Sequence, residues 1–367
     1  MIKNRIKIGA LPDSELRKLR GAVDSVSTHV QPEVGPASID VPCGDEFYRL
    51  PGVVLPVHGE LVSDLIHRVG VSHSLSSPLE VGHTYAVPLG GVRLPHGIYG
   101  YYNPKSSLGR VDVHCRVIAD KVSRYDTCRP ERLSGGYDGR TWLLVTPNSF
   151  TIMPPANLPL VQLRLFNGDT RFKKDSDLRQ EWRKNPLAYH GKDLSRAYAL
   201  DDFKMSDSDG TILFTADLEG DDGVIGYRAR PTREVLDLRR VYAYDGEDFF
   251  DPVRAKNGEV LLAPEVFYLL RTDQAVMVPA HLAAELIAMD ERIFEGRSHY
   301  AGFVDPGFFD RITLEIRCRG MLLREGQPIA RIQFERLISK AMVHYGKRDS
   351  HYHKGNTLLS KHFKLPV

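Results

Sequence analysis

The sequence predicts a mainly β protein with two tandem sandwich or jelly-roll domains and a few short helices. Short runs rich in Val, Ile, Leu, Tyr and Phe recur between clusters of Gly, Pro, Asn and Asp, a pattern typical of strands joined by turns. These runs fall into two groups separated by a charged segment with little period-two alternation. The 367 residues are enough for two ordinary domains.

The individual elements follow from local periodicity. Apolar spacing of three and four residues predicts short helices from Asp13, over Glu60–Val69, and over His281–Met289 after Pro279. Alternating or continuous apolar runs predict strands at Thr84–Leu89, Trp142–Thr146, Leu160–Phe166, Val266–Leu270, Ile312–Ile316 and Ile329–Phe334.

Strand grouping divides the chain into a first domain over 1–170, a polar linker over 171–222, a second domain over 223–340 and a tail over 341–367. The halves are weakly similar, because segments starting at Leu79 and Leu261 share a strand, a turn, a second apolar strand and a Pro-led segment. Duplication of one domain explains this similarity. Chance likeness between two β-meanders is the alternative.

Composition narrows the class of protein. Lys and Arg number 49 against 47 acidic residues, and this balance predicts neither a nucleic-acid surface nor a membrane surface. No apolar stretch has the length of a signal peptide or a membrane span, so the expected location is cytoplasmic. Cysteines 43, 115, 128 and 318 form no CxxC pair, so we expect buried reduced thiols without disulfides.

The segment Pro104-Lys-Ser-Ser-Leu-Gly-Arg110 follows a strand-like GIYGYYN. Its two hydroxyls, its Lys and its Arg make a compact group of donors that suits phosphate oxygens. A triphosphate would fit there. The same residues are also found in ordinary solvated loops, so the segment alone decides nothing.

A second segment, Val304-Asp-Pro-Gly-Phe, leads from a tight turn into the strand Ile312–Arg317. Period two places Ile312, Leu314 and Ile316 on one face and puts Glu315 on the other with Thr313 and Arg317. The ordinary role for such a glutamate is a solvent-facing carboxylate paired with a nearby base. A catalytic carboxylate is the competing hypothesis.

Four segments of the chain follow one another in order: SSLGR, the DPGF turn, the ITLE strand and the later GQPIARIQFERL. Together they resemble the motif series of the dCTP deaminase and dUTPase superfamily. The fold of that family is the dUTPase-like β-clip, and the Glu of ITLE is its deaminase signature. The resemblance therefore implies that Glu315 is the acid/base residue and that Ser106, Ser107 and Arg110 bind the triphosphate. It covers both strand-rich halves and is most specific over Phe303–Leu337.

The resemblance implies further partners. Asp305 would orient the base or sugar, although an Asp before Pro-Gly is also an ordinary turn former. The tail resembles the segment that closes over the nucleotide in longer dCTP deaminases, which makes Tyr345 and Lys354 candidate lid contacts. Magnesium would enter with the nucleotide triphosphate, and family members are typically trimers with sites between neighbouring domains.

Each half departs from the family pattern at one motif. In the first half Leu144 stands where the catalytic Glu is expected, and in the second half Glu295–Tyr300 lacks the SSxxR spacing. A composite site joining the SSLGR loop to Glu315 would use the motif that each half retains. It requires unlike domains to face one another.

Zinc deaminases need a Pro-Cys-x-x-Cys motif in addition to His-x-Glu, and only His58-Gly-Glu60 is present. This absence argues against zinc, and the resemblance implies a zinc-independent dCTP deaminase that forms dUTP and ammonia. The alternatives are a dUTP diphosphatase or a bifunctional enzyme that proceeds to dUMP, and a non-catalytic nucleotide-binding regulatory protein.

Overall fold

The computed structural model describes residues 7–27, 29–129, 136–202, 209–289, 302–346 and 358–365. The first domain forms two five-stranded sheets, with the strand orders β1-β2-β10-β6-β8 and β4-β3-β5-β9-β7. Its strands are β1 (Glu33–Val34), β2 (Ile39–Pro42), β3 (Phe47–Arg49), β4 (Val71–His73), β5 (Tyr85–Leu94), β6 (Tyr99–Pro104), β7 (Val113–Ala119), β8 (Thr127–Cys128), β9 (Tyr137–Pro147) and β10 (Pro159–Phe166).

The second domain repeats this arrangement with more strands. The first of its sheets has the order β12-β11-β17-β14-β15, with β20 also paired to β17; a second has the order β13-β22-β18-β19, and β16 pairs with β21. Its strands are β11 (Ala188–His190), β12 (Asp193–Ala197), β13 (Thr211–Thr215), β14 (Gly226–Ala229), β15 (Phe250–Val253), β16 (Glu259–Leu262), β17 (Phe267–Met277), β18 (Leu282–Ala288), β19 (Phe303–Val304), β20 (Phe309–Arg317), β21 (Met321–Arg324) and β22 (Pro328–Arg336). The predicted mainly β fold is confirmed.

The helices in the described residues are short. They are α1 (Asp13–Leu16), α2 (Val62–Val69), α3 (Ser106–Gly109) and α4 (Asp175–Trp182), with 3-10 turns at Arg17–Ala22, Leu200–Asp202 and Gly246–Asp248. The helices predicted from Asp13 and over Glu60–Val69 are confirmed in part as α1 and α2.

The helix predicted over His281–Met289 is wrong, because β18 occupies this segment and pairs with β22 and β19. Leu282, Ala284 and Leu286 face the core of the second domain, while Ala283 faces a smaller apolar cluster on the other side. A strand buried on both faces is a continuous apolar run, which periodicity does not distinguish from a helix.

The segment 171–222, which we predicted as a linker, instead contains α4 and β11 to β13. Leu178 and Trp182 of α4 and Ile212 and Phe214 of β13 are buried in the core of the second domain. Each element buries only a few apolar side chains among many charged ones, so its composition resembles that of a linker although its apolar spacing is that of a packed element.

Several strand pairings are the same in the two halves. β5 pairs with β9 as β17 pairs with β20, and β10 lies between β2 and β6 as β22 lies between β13 and β18. This shared topology supports duplication over chance similarity.

The two domains share the apolar core that lies mainly in the first domain, and the second domain also has a core of its own. Phe267 and Leu269 of β17 are fully buried among residues of the first domain, together with Phe249 and the C-terminal Phe363. One face of the β17–β20 pair is therefore closed by the first domain. This packing determines which residues of the first domain contact the side chains on that face.

A charged network crosses the same interface. Arg164 of β10 is 1% exposed, forms an ion pair with Glu335 of β22, and donates to Asn103 Oδ1 at 3.3 Å. Asn103 in turn donates to Glu285 Oε1 of β18 at 3.2 Å. Because a buried charge is costly without partners, these contacts favour a single relative placement of the domains.

Candidate active site

Glu315 lies on β20, on the face that the first domain covers. Its side-chain neighbours in sequence, Leu314 and Ile316, point into the core of the second domain with Ile312. The predicted alternation is therefore confirmed, but Glu315 is not a solvent-facing carboxylate, because it is only 3% exposed. Burying a carboxylate costs free energy unless hydrogen bonds or a nearby positive charge compensate for the lost water.

The carboxylate of Glu315 rests against Gly109, the last residue of α3. A Cβ added to Gly109 would lie 2.2 Å from both Oε1 and Oε2 of Glu315. Only glycine leaves room for the carboxyl group there. The two motifs that the sequence joined in one hypothesis are thus in contact within a single chain.

The loop around α3 is compact and mostly shielded. Ser106 and Ser107 are half-buried and Arg110 is 8% exposed. Arg110 Nη1 donates to the carbonyl of Leu358 at 3.2 Å, and Ser360 Oγ donates to the carbonyl of Ser107 at 2.9 Å. The C-terminal segment therefore contacts the serine and arginine loop directly.

The C-terminal segment is anchored by its aromatic end. Phe363 is 1% exposed and packs edge to face with Phe249 and Phe250 at ring distances of 5.3 and 5.5 Å. His362 Nδ1 lies 3.1 Å from the carbonyl of Arg240. These contacts hold Leu358–Ser360 over the loop.

Arg271 of β17 is a further residue of this face, which the sequence analysis missed. It is paired with Thr313 of β20, next to the pair formed by Leu269 and Glu315. Burial lowers the pKa of Arg271, and the nearby charges of Arg311 and Arg110 lower it further, while Asp221 at 3.1 Å opposes this. Guanidinium groups held close together favour an anion between them. An arginine in a strand otherwise gives no sequence signal.

Asp305 lies in the turn before β20. It is near Lys105, which stands at the start of the loop around α3. Burial raises the pKa of Asp305 to about 7, and the charge of Asp40 adds to this while Lys105 and Arg164 oppose it. Its Oδ1 is buried and has no hydrogen-bond partner among the described residues. Asp305 thus lies near Lys105 and Glu315 touches Gly109, so the two carboxyls flank one short loop.

The two lid candidates have different outcomes. Tyr345 packs its ring 5.1 Å from Phe308 and donates its backbone N–H to the carbonyl of Pro306 at 2.9 Å, which holds it against the Asp-Pro-Gly turn. Lys354 lies outside the described residues, as does the degenerate segment Glu295–Tyr300. The roles predicted for Tyr345 and Lys354 stay predictions.

The corresponding face of the first domain is closed. Leu144 pairs with Ala86 on β5, the counterpart of the Glu315 pair with Leu269. Leu144 is 1% exposed and packs under Val62 and Ile66 of α2. An apolar side chain covered by a helix provides neither a proton shuttle nor space for a ligand.

The cysteines lie in apolar surroundings. All four are buried, and burial raises the pKa of Cys43 to about 12 and that of Cys318 above its usual value. Thiolate is the form that binds metals, so these thiols are poor ligands.

No helix in the described ranges is long and apolar enough to cross a membrane.

Comparison with known proteins places this geometry in a family. A family model described as the 2'-deoxycytidine 5'-triphosphate deaminase N-terminal domain matches residues 7–169, and the model for the C-terminal domain matches residues 187–363. The crystal structure of 2'-deoxycytidine 5'-triphosphate deaminase from Agrobacterium tumefaciens matches with a TM-score of 0.80 at 30% identity, over 91% of this chain and 97% of that chain. The chain belongs to the dCTP deaminase family. It has the two-domain form.

Curated relatives in the dCTP deaminase family are similar over a shorter region. The "dCTP deaminase, dUMP-forming" of Methanobrevibacter smithii is 34% identical over 126 residues, which are 30% of this chain and 61% of that protein. That of Methanothermobacter thermautotrophicus is 32% identical over 123 residues, 29% of this chain and 58% of that protein. The chain thus spans about three fifths of the length of these relatives.

The raised pKa of Asp305 predicts a pH-dependent stability. A carboxyl with a raised folded-state pKa stabilises the fold at low pH, and this contribution is lost as the pH rises through about 7. We expect Asp305→Asn, which mimics the neutral acid, to melt above wild type at pH 8.5 and to approach it at pH 5. Thermal unfolding at both pH values measures the difference.

Asp138→Asn is the matched control, because the Asp138 side chain is 80% exposed on the first domain. It removes one carboxylate without removing a buried one. The same pH dependence in both variants would contradict the assignment to Asp305.

Proposed function

We propose that this chain is a zinc-independent hydrolase that deaminates dCTP to dUTP and ammonia at the interface of its two domains. The observation that carries the proposal is the contact between the buried Glu315 carboxylate and Gly109. This contact places a candidate proton shuttle beside a loop of hydroxyl and guanidinium donors. Membership of the dCTP deaminase family supports the same activity.

Glu315 acts as a general acid and base in this proposal. Its carboxylate takes a proton from a water held near C4 of cytosine while the water oxygen attacks C4. The proton passes to N3. The carboxylate then moves the remaining hydroxyl proton of the tetrahedral intermediate to the amino group, the C4–N bond breaks, and water and dCTP yield dUTP and ammonia. Burial of Glu315 keeps bulk water from competing for the proton.

The loop residues hold the triphosphate. Ser106 and Ser107 supply hydroxyl donors, and Arg110 supplies a guanidinium fork that matches phosphate oxygens. Arg271 adds a second guanidinium next to the Glu315 pair. Asp305 orients the base or sugar, and Tyr345 and Lys354 contact the nucleotide from the closing tail.

Magnesium enters with the nucleotide. Mg²⁺ prefers oxygen ligands and would be held by phosphate oxygens and waters, beside the loop where Ser106, Ser107 and Arg110 bind the triphosphate. The ion supplies charge neutralisation of the triphosphate when bound. The assembly is a homotrimer of two-domain chains in the cytoplasm, as in the trimers typical of the family.

Formation of dUMP is a second candidate, favoured by the names of the curated relatives. It needs a carboxylate that activates water for attack on the α-phosphate. Asp305 meets this need, because its Oδ1 has no partner among the described residues and its pKa of about 7 suits a base at neutral pH.

Replacement of the carboxylate tests the deaminase proposal. We expect Glu315→Gln to lower kcat for ammonia release from dCTP by about 100-fold or more, because the amide cannot carry the proton. Glu259→Gln, an exposed strand glutamate of the same domain, is the matched control and should retain activity. Ammonia release by a coupled assay measures both.

Near-normal turnover by Glu315→Gln would rule out Glu315 as the shuttle. Wild-type protein that binds dCTP or dTTP without forming ammonia would instead favour a non-catalytic regulatory role.

Gly109→Ala tests the contact itself. The three atoms nearest to the added methyl group all belong to the end of the Glu315 side chain, so we expect the carboxyl group to move while the fold is preserved. Because a shift of about 1 Å can cost about 100-fold in rate, we expect kcat to fall by about 10- to 100-fold with little change in melting temperature. Gly21→Ala, which meets nothing within 4 Å, is the control. Unchanged kcat in Gly109→Ala would show that this packing has no role in turnover.

Product analysis separates the two candidate reactions. We expect dUTP and ammonia in equal amounts when products from dCTP are resolved by anion-exchange chromatography. Equal amounts of dUMP and pyrophosphate would assign the dUMP-forming reaction instead. In that case Asp305→Asn should accumulate dUTP, because Glu315 and not Asp305 carries the proton in deamination.

A further inference from the structure

A second contact joins the same two segments next to the Glu315 contact with Gly109. Arg317 follows Glu315 by two residues on the same face of β20 and forms an ion pair with Asp112, which follows Gly109 by three residues. Arg317 Nη2 also donates to Ser149 Oγ at 3.0 Å. Strand and loop thus meet at two successive points.

Asp112 is held firmly on the first-domain side. It is fully buried, and Ser149 Oγ donates to its Oδ2 at 2.5 Å. Its backbone N–H donates to the carbonyl of Gly109 at 3.1 Å, and its carbonyl accepts from the N–H of Asn148 at 3.0 Å. Its φ of 56° lies in the left-handed region, which Asp and Asn tolerate better than most residues.

Arg317 is held equally firmly on the second-domain side. Its Nη1 donates to the carbonyl of Glu265, just before β17. On the neighbouring strand Phe267 lies directly opposite Arg317 and is buried in the shared core. One guanidinium therefore links β20, the start of β17 and the residues just after α3. Its donors lie in one rigid plane, whereas a lysine ammonium is a point charge with rotatable donors.

We infer that the ion pair between Arg317 and Asp112 is a positioning device that sets the register of β20 against the loop and so aims the Glu315 carboxylate. Ion pairs shielded from water contribute little net stability compared with apolar packing, and in some proteins they specify geometry instead. We assign Arg317 and Asp112 a positioning role, because their contacts act on Glu315 through the strand and the loop. The inference rests on the proposed deaminase function, because it assigns the pair a role in that reaction.

The test uses Arg317→Lys, Asp112→Asn and the double variant in the full-length chain. Lysine keeps the charge and loses the fork, and asparagine keeps the left-handed backbone and loses the charge. We expect each single variant to lower kcat for dCTP by about 10- to 100-fold with KM changed less than about threefold. If the residues act as one unit, the double variant is no slower than the slower single variant.

Arg331→Lys is the matched control, because Arg331 pairs with Asp209 at 3.0 Å in the same domain but away from the loop. It should retain kcat. All rates are divided by the folded fraction from thermal unfolding, so that a purely structural loss does not appear as lower kcat.

The outcomes separate the two proposals. If wild type releases no ammonia from dCTP, the proposed function fails and this inference fails with it. If wild type is active and Glu315→Gln is not, but Arg317→Lys and Asp112→Asn keep kcat within twofold, the positioning role is wrong while the function stands. A loss confined to KM or to the folded fraction also overturns the positioning role.

Discussion

The site depends on one constraint, the burial of a single face of the β17–β20 pair against the first domain. Phe267 and Leu269 on that face belong to the apolar core of the first domain, and their burial is the main favourable free energy of the contact. Glu315 and Arg317 lie on the same face, where Glu315 is buried and Arg317 is half-buried. The apolar pair thus holds two charged side chains at positions that neither would occupy by itself.

Duplication followed by divergence explains why two similar domains form one contact of this kind, between a serine and arginine loop and a strand carboxylate, within the part of the chain that the structure describes. The first half keeps the serine and arginine loop, while Leu144 and α2 close its other face. The second half keeps the carboxylate. In the proposed composite site the loop comes from one half and the strand face from the other, so each half can lose the motif that the other supplies.

Periodicity carried much of the prediction. Strand positions and the alternation around Glu315 follow from side chains that point to opposite faces of a strand, and both are found in the structure. The helix predicted over His281–Met289 was wrong, because β18 is buried on both faces. Segment 171–222 looked like a linker because few of its residues reach the core, although those that do are fully buried.

The sequence by itself determined the fold class, the candidate residues and their grouping into two motifs, since these depend on local spacing and residue chemistry. Tertiary structure decided that Glu315 meets Gly109 within one chain, that Arg271 lies beside it, and that Arg317 pairs with Asp112. The contacts of Glu315 with Gly109 and of Arg317 with Asp112 join residues about two hundred positions apart. They depend on how the two domains pack, and no local pattern encodes that packing.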